Sequence, residues 1–421
     1  MSGDGVDGFR PSSGYWKAVL MRGWMENRTL FLKRISQFQK YLGDNDFGGA
    51  LLAYSREILY YTGTAQPAFL AITPDDYALF IKSGMDYAVN DVFIDVSKLV
   101  EERKMANVHQ SFFAGLKNRR IGLELDIISA LEFMECQRLF KDATFENISP
   151  AILSQRAIKD SFEIEQIRKA GEVTKKGYEA ACDVLKPGIT ELELSAAVEQ
   201  AHRLAGHEGT VFFRVRDFFM GAGPIGAGES LKKHSGILYS LTGTGQSASV
   251  PIGPSKRPIK SRETVIIDIP CHINGYQIDH TRSFVAGRAR PETRACYEAL
   301  KEVFDFLIED VIRPGVKCSD IYAAAIEKSR ETDFHHAFLK FSNGKRSLLV
   351  GHGLGMEVNE APVIFSHNKQ EIAENNILAV ELHMMDDKAG VLKLEDTIHV
   401  GKEGNELLTI SPRELFESGH D

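Results

Sequence analysis

Two pairs of acidic residues in this sequence have the spacing of a site that handles charge. Asp268 and Asp279 lie on either side of Asn274-Gly275, the strongest short signal for a two-residue hairpin turn. With that turn as the loop, Asp268 faces Thr281 across the hairpin, and Asp279 is its diagonal neighbour on the same face. Two carboxylates on one face of a buried strand repel each other, so this spacing predicts a positive charge between them.

A second hairpin repeats the arrangement. Glu381 ends an apolar run, and Glu395 ends the return strand beyond the turn residues 386–390. The two glutamates are symmetric about Lys388. A three-residue loop therefore places them directly opposite each other.

One histidine completes the set. His352 lies in Gly351-His352-Gly353-Leu354-Gly355, where the glycines let other groups approach the imidazole closely. Four carboxylates and one imidazole form a hard, oxygen-rich ligand set that suits two divalent ions, with Mn²⁺ or Co²⁺ preferred and Zn²⁺ or Fe²⁺ as further candidates. Since the sequence has no C-x-x-C pair, it does not predict a structural zinc site.

The elements that must position these residues follow from periodicity. Helical spacing of apolar residues after Leu30 and two strand-like runs joined at Pro74-Asp75-Asp76 predict an α/β domain over residues 28–155. A helix capped near Asp160-Ser161 begins the second part, and a further helix is predicted at 191–205. Beyond residue 210, Gly-rich loops and β runs predict an α+β domain spanning 156–421.

Residues 1–27 form a separate N-terminal arm in this interpretation. Trp16 and Trp24 are the only tryptophans in the chain, and both lie in this arm. Aromatic side chains of that size usually pack on something. The arm is therefore expected to dock, either on its own domain or on a second subunit.

Composition excludes several classes of partner. The net charge of −8 gives no attraction to nucleic acid, and no apolar run is long enough to span a membrane. The five cysteines are widely spaced and odd in number, which predicts free thiols in a reducing compartment. A cytoplasmic location follows from these features together with the absence of a signal-peptide layout at Met1.

Taken together, these motifs resemble the pita-bread metallopeptidases, which include aminopeptidase P and Xaa-Pro dipeptidase. The resemblance covers residues 28 to 412 and implies a pita-bread catalytic domain after a smaller creatinase/prolidase-type domain. It also implies a homodimer without nucleic-acid or membrane partners. The family's five metal ligands fall on Asp268, Asp279, His352, Glu381 and Glu395.

The resemblance implies a dinuclear-metal hydrolase, in which a metal-bridged hydroxide attacks a peptide or amide carbonyl. Glu381 is then expected to carry the proton to the leaving nitrogen. Two family histidines that contact the substrate are replaced here, one by Ile252 and one by Asn359. Asn359 can donate a hydrogen bond but no proton, and His383 is the substitute on the ligand face.

These departures leave open an alternative within the same fold. The alternative is a different chemistry on a small molecule, either hydrolysis of an amide or amidine or a lyase reaction of the dimethylsulfoniopropionate type. The expected substrate is accordingly a small peptide or another small molecule.

Overall fold

The computed structural model describes residues 13–215, 223–233 and 240–419, with side chains from Asn27 onward. Contacts divide the chain into two compact units, Met1–Ile152 and Leu153–Asp421. The expected docking of Trp16 and Trp24 concerns side chains outside the described residues. Their backbone belongs to a helix that runs without a break across the predicted 27/28 boundary.

The first unit is a six-stranded mixed sheet flanked by helices. Its strand order is β4-β3-β2-β1-β5-β6. The helices are α1 (Ser13–Asp44), α2 (Ser55–Thr62), α3 (Met85–Asp91), α4 (Met105–Val108) and α5 (Ala130–Leu139). The strands are β1 (Gly49–Leu52), β2 (Ala68–Ile72), β3 (Tyr77–Ile81), β4 (Leu99–Glu101), β5 (Arg120–Leu123) and β6 (Thr144–Asn147).

Local sequence explains these elements. The predicted stripe on α1 is buried, and Ile72 pairs with Tyr77 across the predicted turn between β2 and β3. Residues buried on the α1 stripe are Phe31, Ile35, Phe38 and Leu42. A helix α6 (Ser149–Ala157) follows the sheet and spans the division between the units.

The second unit begins with two long helices. Asp160 caps α7 (Ser161–Val184) by accepting hydrogen bonds from the backbone of Phe162 and Glu163, as the sequence predicts. Thr190 caps the next helix in the same way. The remaining helices are α8 (Glu191–Leu204), α9 (Pro291–Phe306) and α10 (Cys318–Ser329). No helix in the described ranges is long and apolar enough to cross a bilayer.

A nine-stranded sheet forms the centre of the second unit, with the order β13-β12-β14-β15-β11-β8-β7 and with β16 and β17 paired to β15 and β11. A separate hairpin pairs β9 with β10. The strands are β7 (Ile225–Ala227), β8 (Thr264–Asp268), β9 (Cys271–Ile273), β10 (Tyr276–Ile278), β11 (Thr281–Val285), β12 (Leu349–Gly353), β13 (Glu360–Phe365), β14 (Ile377–Asp386), β15 (Gly390–Val400), β16 (Asn405–Leu407) and β17 (Phe416–Glu417).

The first predicted hairpin keeps its register but is divided into two parts. Asn274-Gly275 is the turn between β9 and β10, and Asp268 pairs with Thr281 between β8 and β11. Pro270 has no backbone N–H to continue the pairing. The N–H of Asp279 donates instead to Thr397 Oγ1 at 3.2 Å. The backbone of Asp279 is therefore held by the Thr397 side chain of β15 and not by pairing with β8.

Two pairs of helices pack their apolar side chains against this sheet. Apolar residues of α9 and α10, such as Leu300 and Ile321, belong to one cluster with β14 and β15. Residues of α7 and α8, such as Ala181 and Val198, cluster with β7 and β8. The strands that carry the acids are therefore fixed by packing on both sides of the site.

Candidate metal centre

Four acidic and polar residues form a row across the sheet. Asp268 on β8 pairs with Thr281 on β11, Thr281 pairs with Glu395 on β15, and Glu395 pairs with Glu381 on β14. Directly paired residues on neighbouring strands point to the same face. The predicted position of Glu381 opposite Glu395 is confirmed, with Asp386 paired to Gly390 at the end of the three-residue loop.

Asp279 joins this row from the segment between β10 and β11. Its carboxylate accepts the backbone N–H of His280 at 3.0 Å, and its carbonyl accepts the hydroxyl of Thr397 at 2.8 Å. His280 lies with His202 and Arg282 around a separate small cavity. As its alternation with Asp279 predicts, His280 is packed away from the acids.

His352 lies on β12, next to β14. Its Nδ1 is 3.0 Å from the carbonyl oxygen of Gly353, and a carbonyl only accepts, so Nδ1 carries the hydrogen. Nε2 then faces Glu381 and Asp279, at 3.9 and 4.0 Å from their oxygens. A Cβ on Gly353 would lie 2.3 Å from the carbonyl oxygen of Ala361, so a glycine is required beside the imidazole.

Lys393 is a site residue that the sequence interpretation missed. Its ammonium lies 2.5 Å from Asp268 Oδ2, 2.8 Å from Glu381 Oε2 and 2.9 Å from Glu395 Oε2. The side chain is only 3% exposed. A signal existed in the sequence, because Lys393 is two residues before Glu395 on a strand and hence on the same face.

Burial and unbalanced charge set the electrostatics of the acids. Burial and the neighbouring Asp268 raise the pKa of Asp279 to about 8. Burial and Asp279 raise the pKa of Glu395 well above its usual value. Burial also acts on Glu381, but Lys393 and His352 outweigh it and lower the Glu381 pKa to about 2. One ammonium group therefore supplies too little positive charge to keep all four buried acids ionised together.

Three of the predicted ligands satisfy the distance requirements for one ion. Ligand atoms of Asp279, His352 and Glu395 lie within 4.8 Å of one another, and all three residues are buried. Oxygen and imidazole ligands sit about 2.0–2.2 Å from a bound divalent ion, so donor atoms this close together can hold one ion after small side-chain adjustments. The chemistry and the geometry of this donor set fit a divalent metal. Asp268 and Glu381 direct oxygens to Lys393 instead.

The other predicted catalytic residues differ in burial and in the groups that they contact. Glu381 accepts the Ser240 hydroxyl at 2.9 Å through the same oxygen that contacts Lys393. His383 is buried beside Phe341, and burial lowers its pKa to about 4. Its Nε2 has no hydrogen-bond partner within the described ranges. Asn359 is exposed and Ile252 is half-buried.

Comparisons with known proteins agree with this architecture. The model of metallopeptidase family M24 matches residues 165–402, and that of the creatinase/prolidase N-terminal domain matches residues 34–158. The chain is 24% identical to the Xaa-Pro dipeptidase of Pyrococcus furiosus over 391 residues, which is 91% of this chain and 99% of the relative.

Solved structures show the same fold. An Xaa-Pro dipeptidase from Bacillus anthracis superposes with a TM-score of 0.77 at 20% identity, covering 92% of this chain and 99% of the other. The prolidase from Pyrococcus horikoshii superposes with a TM-score of 0.74 at 23% identity, covering 91% and 99%.

Proposed function

Since this chain belongs to metallopeptidase family M24, we propose that it is a metal-dependent hydrolase of small peptides of the Xaa-Pro class. The observation that carries the proposal is the convergence of Asp279, His352 and Glu395 in a buried site that contains more carboxylates than cations. The names of the relatives favour peptide hydrolysis over the small-molecule alternative.

Each residue has a defined part in this proposal. Asp279, His352 and Glu395 hold the ion, which supplies Lewis acidity and lowers the pKa of water for attack on a carbonyl. The Oε2 atom of Glu381 is engaged by Lys393 and Ser240, so Oε1, which faces His352, is the oxygen that carries the proton to the leaving nitrogen.

Two neighbours serve the substrate rather than the ion. His383 lies two residues beyond Glu381 on β14, and its neutral ring offers Nε2 to a bound peptide. Asn359 is exposed just before β13, and we expect it to donate a hydrogen bond to the carbonyl. Neither residue replaces the proton chemistry of the two family histidines.

Finer properties are also part of the proposal. The hard donor set supports Mn²⁺ or Co²⁺ over Zn²⁺ or Fe²⁺. All five cysteines are free thiols, which supports a reducing, cytoplasmic setting. A homodimer and the domain limits 28–155 and 156–421 follow from the family resemblance. The arm over 1–27 rests on its two tryptophans.

The test is hydrolysis by protein that has been stripped with chelator and reloaded with Mn²⁺. Xaa-Pro dipeptides, the same dipeptides with Ala in place of Pro, and small amides form the panel. We expect cleavage of the Xaa-Pro substrates only after reloading. Glu381→Gln should lower kcat by about 10²–10⁴-fold, since proton transfer contributes that much.

Exposed Glu374 provides the matched control. Glu374→Gln removes a carboxylate from the surface of the same unit and should leave kcat unchanged. Equal activity of stripped and reloaded protein would contradict metal dependence. Cleavage of the small amides with no cleavage of Xaa-Pro dipeptides would favour the small-molecule alternative.

A further inference from the structure

The Lys393 ammonium lies against three acids of the site. It donates a hydrogen bond to Asp268 and lies 2.8 and 2.9 Å from oxygens of Glu381 and Glu395. Its other neighbour across the sheet is His383, which pairs with it between β14 and β15. The amine is thus a cation bound by three carboxylates.

The five predicted metal ligands therefore divide between two cations. Asp268 and Glu381 each direct one oxygen to Lys393, while Asp279 and His352 have no contact with the amine in the described structure. Glu395 belongs to both groups, since its Oε2 lies 2.9 Å from the Lys393 amine and accepts a hydrogen bond from the Thr281 hydroxyl at 2.6 Å.

Both the backbone and the amine of Lys393 make contacts that fix its position. Its backbone N–H donates to Ser283 Oγ at 2.9 Å, and its carbonyl accepts the same hydroxyl at 2.7 Å. The side chain is buried, so an amine that moved away would lose three charged acceptors without reaching water. A second metal ion on the Asp268 side has to displace this bound charge.

We propose that the Lys393 ammonium is the resident cation of the Asp268 side, so that the protein binds one divalent ion, at Asp279, His352 and Glu395, instead of two. This inference rests on the proposed metal-dependent function. It replaces the two-ion expectation from sequence, which took no account of Lys393. The lysine holds Asp268 and Glu381 in place of a second metal.

The test is the number of Mn²⁺ ions bound per chain, measured by elemental analysis after stripping and reloading. We expect one ion in the native protein, and Mn²⁺ electron paramagnetic resonance should show an isolated ion without coupling to a second. Asp268→Asn should still bind one ion, because Asp268 contacts the lysine. Lys393→Met, which keeps the chain length without the charge, should bind two.

Other outcomes separate the inference from the function. Two coupled ions in the native protein, or loss of an ion in Asp268→Asn, overturns the inference and leaves a metallohydrolase. No bound ion overturns both. One ion without Xaa-Pro hydrolysis upholds the inference and overturns the proposed function. If Lys393→Met does not fold, native stoichiometry and Asp268→Asn still decide.

Discussion

Two buried charge clusters in the second unit differ in how their charges are balanced. In the paired cluster, made of Arg156, Lys159, Glu357 and Glu360, Arg156 lies 3.0 Å from Glu357 and 2.5 Å from Glu360, and Lys159 lies 3.1 Å from Glu360. Two acids thus meet two close bases, and Arg214 lies 3.8 Å from Glu357 as a third. In the carboxylate cluster, made of Asp268, Asp279, Glu381, Glu395, His352 and Lys393, four acids meet one amine.

The pKa values show what this difference means. Burial opposes ionisation of Glu360, but Arg156 and Lys159 outweigh it and lower its pKa to about 2. Asp279 is equally deep, yet burial and Asp268 raise its pKa to about 8. A buried acid with its own counter-charge contributes to structure, whereas an acid without one marks a place for a cation from outside.

The largest expected effect comes from breaking the balance of the paired cluster. Arg156→Met leaves Glu357 and Glu360 buried with less positive charge. Removing one partner of a buried pair costs about 3–5 kcal/mol. Denaturant unfolding monitored by circular dichroism should show a loss of this size.

The matched control is Arg168, which pairs with Glu406. The two side chains are 43% and 45% exposed. Arg168→Met removes the same charge from the surface, where a pair contributes about 1 kcal/mol or less. Equal losses in the two variants would mean that burial of the paired cluster does not matter to its energy.

A smaller effect concerns a buried group with no counter-charge. Burial and the nearby His207 lower the pKa of His202 from its usual 6.5 to about 4. The unfolded chain then binds more protons than the folded one between these values, so stability is complete above pH 6.5 and falls as the pH drops toward 4. From pH 7 to pH 5 this histidine should cost about 2 kcal/mol.

The measurement is the free energy of unfolding of metal-free protein at pH 7 and pH 5. His202→Gln keeps a polar side chain that does not titrate, so the difference between the two pH values should shrink by about 2 kcal/mol. An unchanged difference would show that the pKa of His202 is the same in the folded and the unfolded chain.

Much of the site followed from the sequence because β pairing is local. Asn274-Gly275 and the turn after Asp386 fix their registers, so the positions of Asp268 opposite Thr281 and of Glu381 opposite Glu395 are confirmed. The buried stripe on α1 and the cap at Asp160 are also confirmed, because helix periodicity and capping depend on residues close together in the sequence.

What the sequence did not reveal depends on contacts between distant segments. The contact between Lys393 and Asp268 joins two residues that are 125 positions apart in the sequence. A lysine two residues before an acid usually lies on a solvated face, and only the packed sheet shows that this one is buried. The first hairpin is divided near Pro270, where Asp279 bonds to Thr397 instead of to the opposite strand. That bond also joins segments that are distant in the sequence.

Anomalous scattering of manganese in crystals of reloaded protein locates the bound ion directly. We expect a peak within coordination distance of Asp279, His352 and Glu395, about 2.0–2.2 Å from their ligand atoms. We expect none at the paired cluster around Arg156. Fully reloaded crystals with no peak beside Asp279 and His352 would contradict the claim that the unbalanced carboxylates form a metal centre.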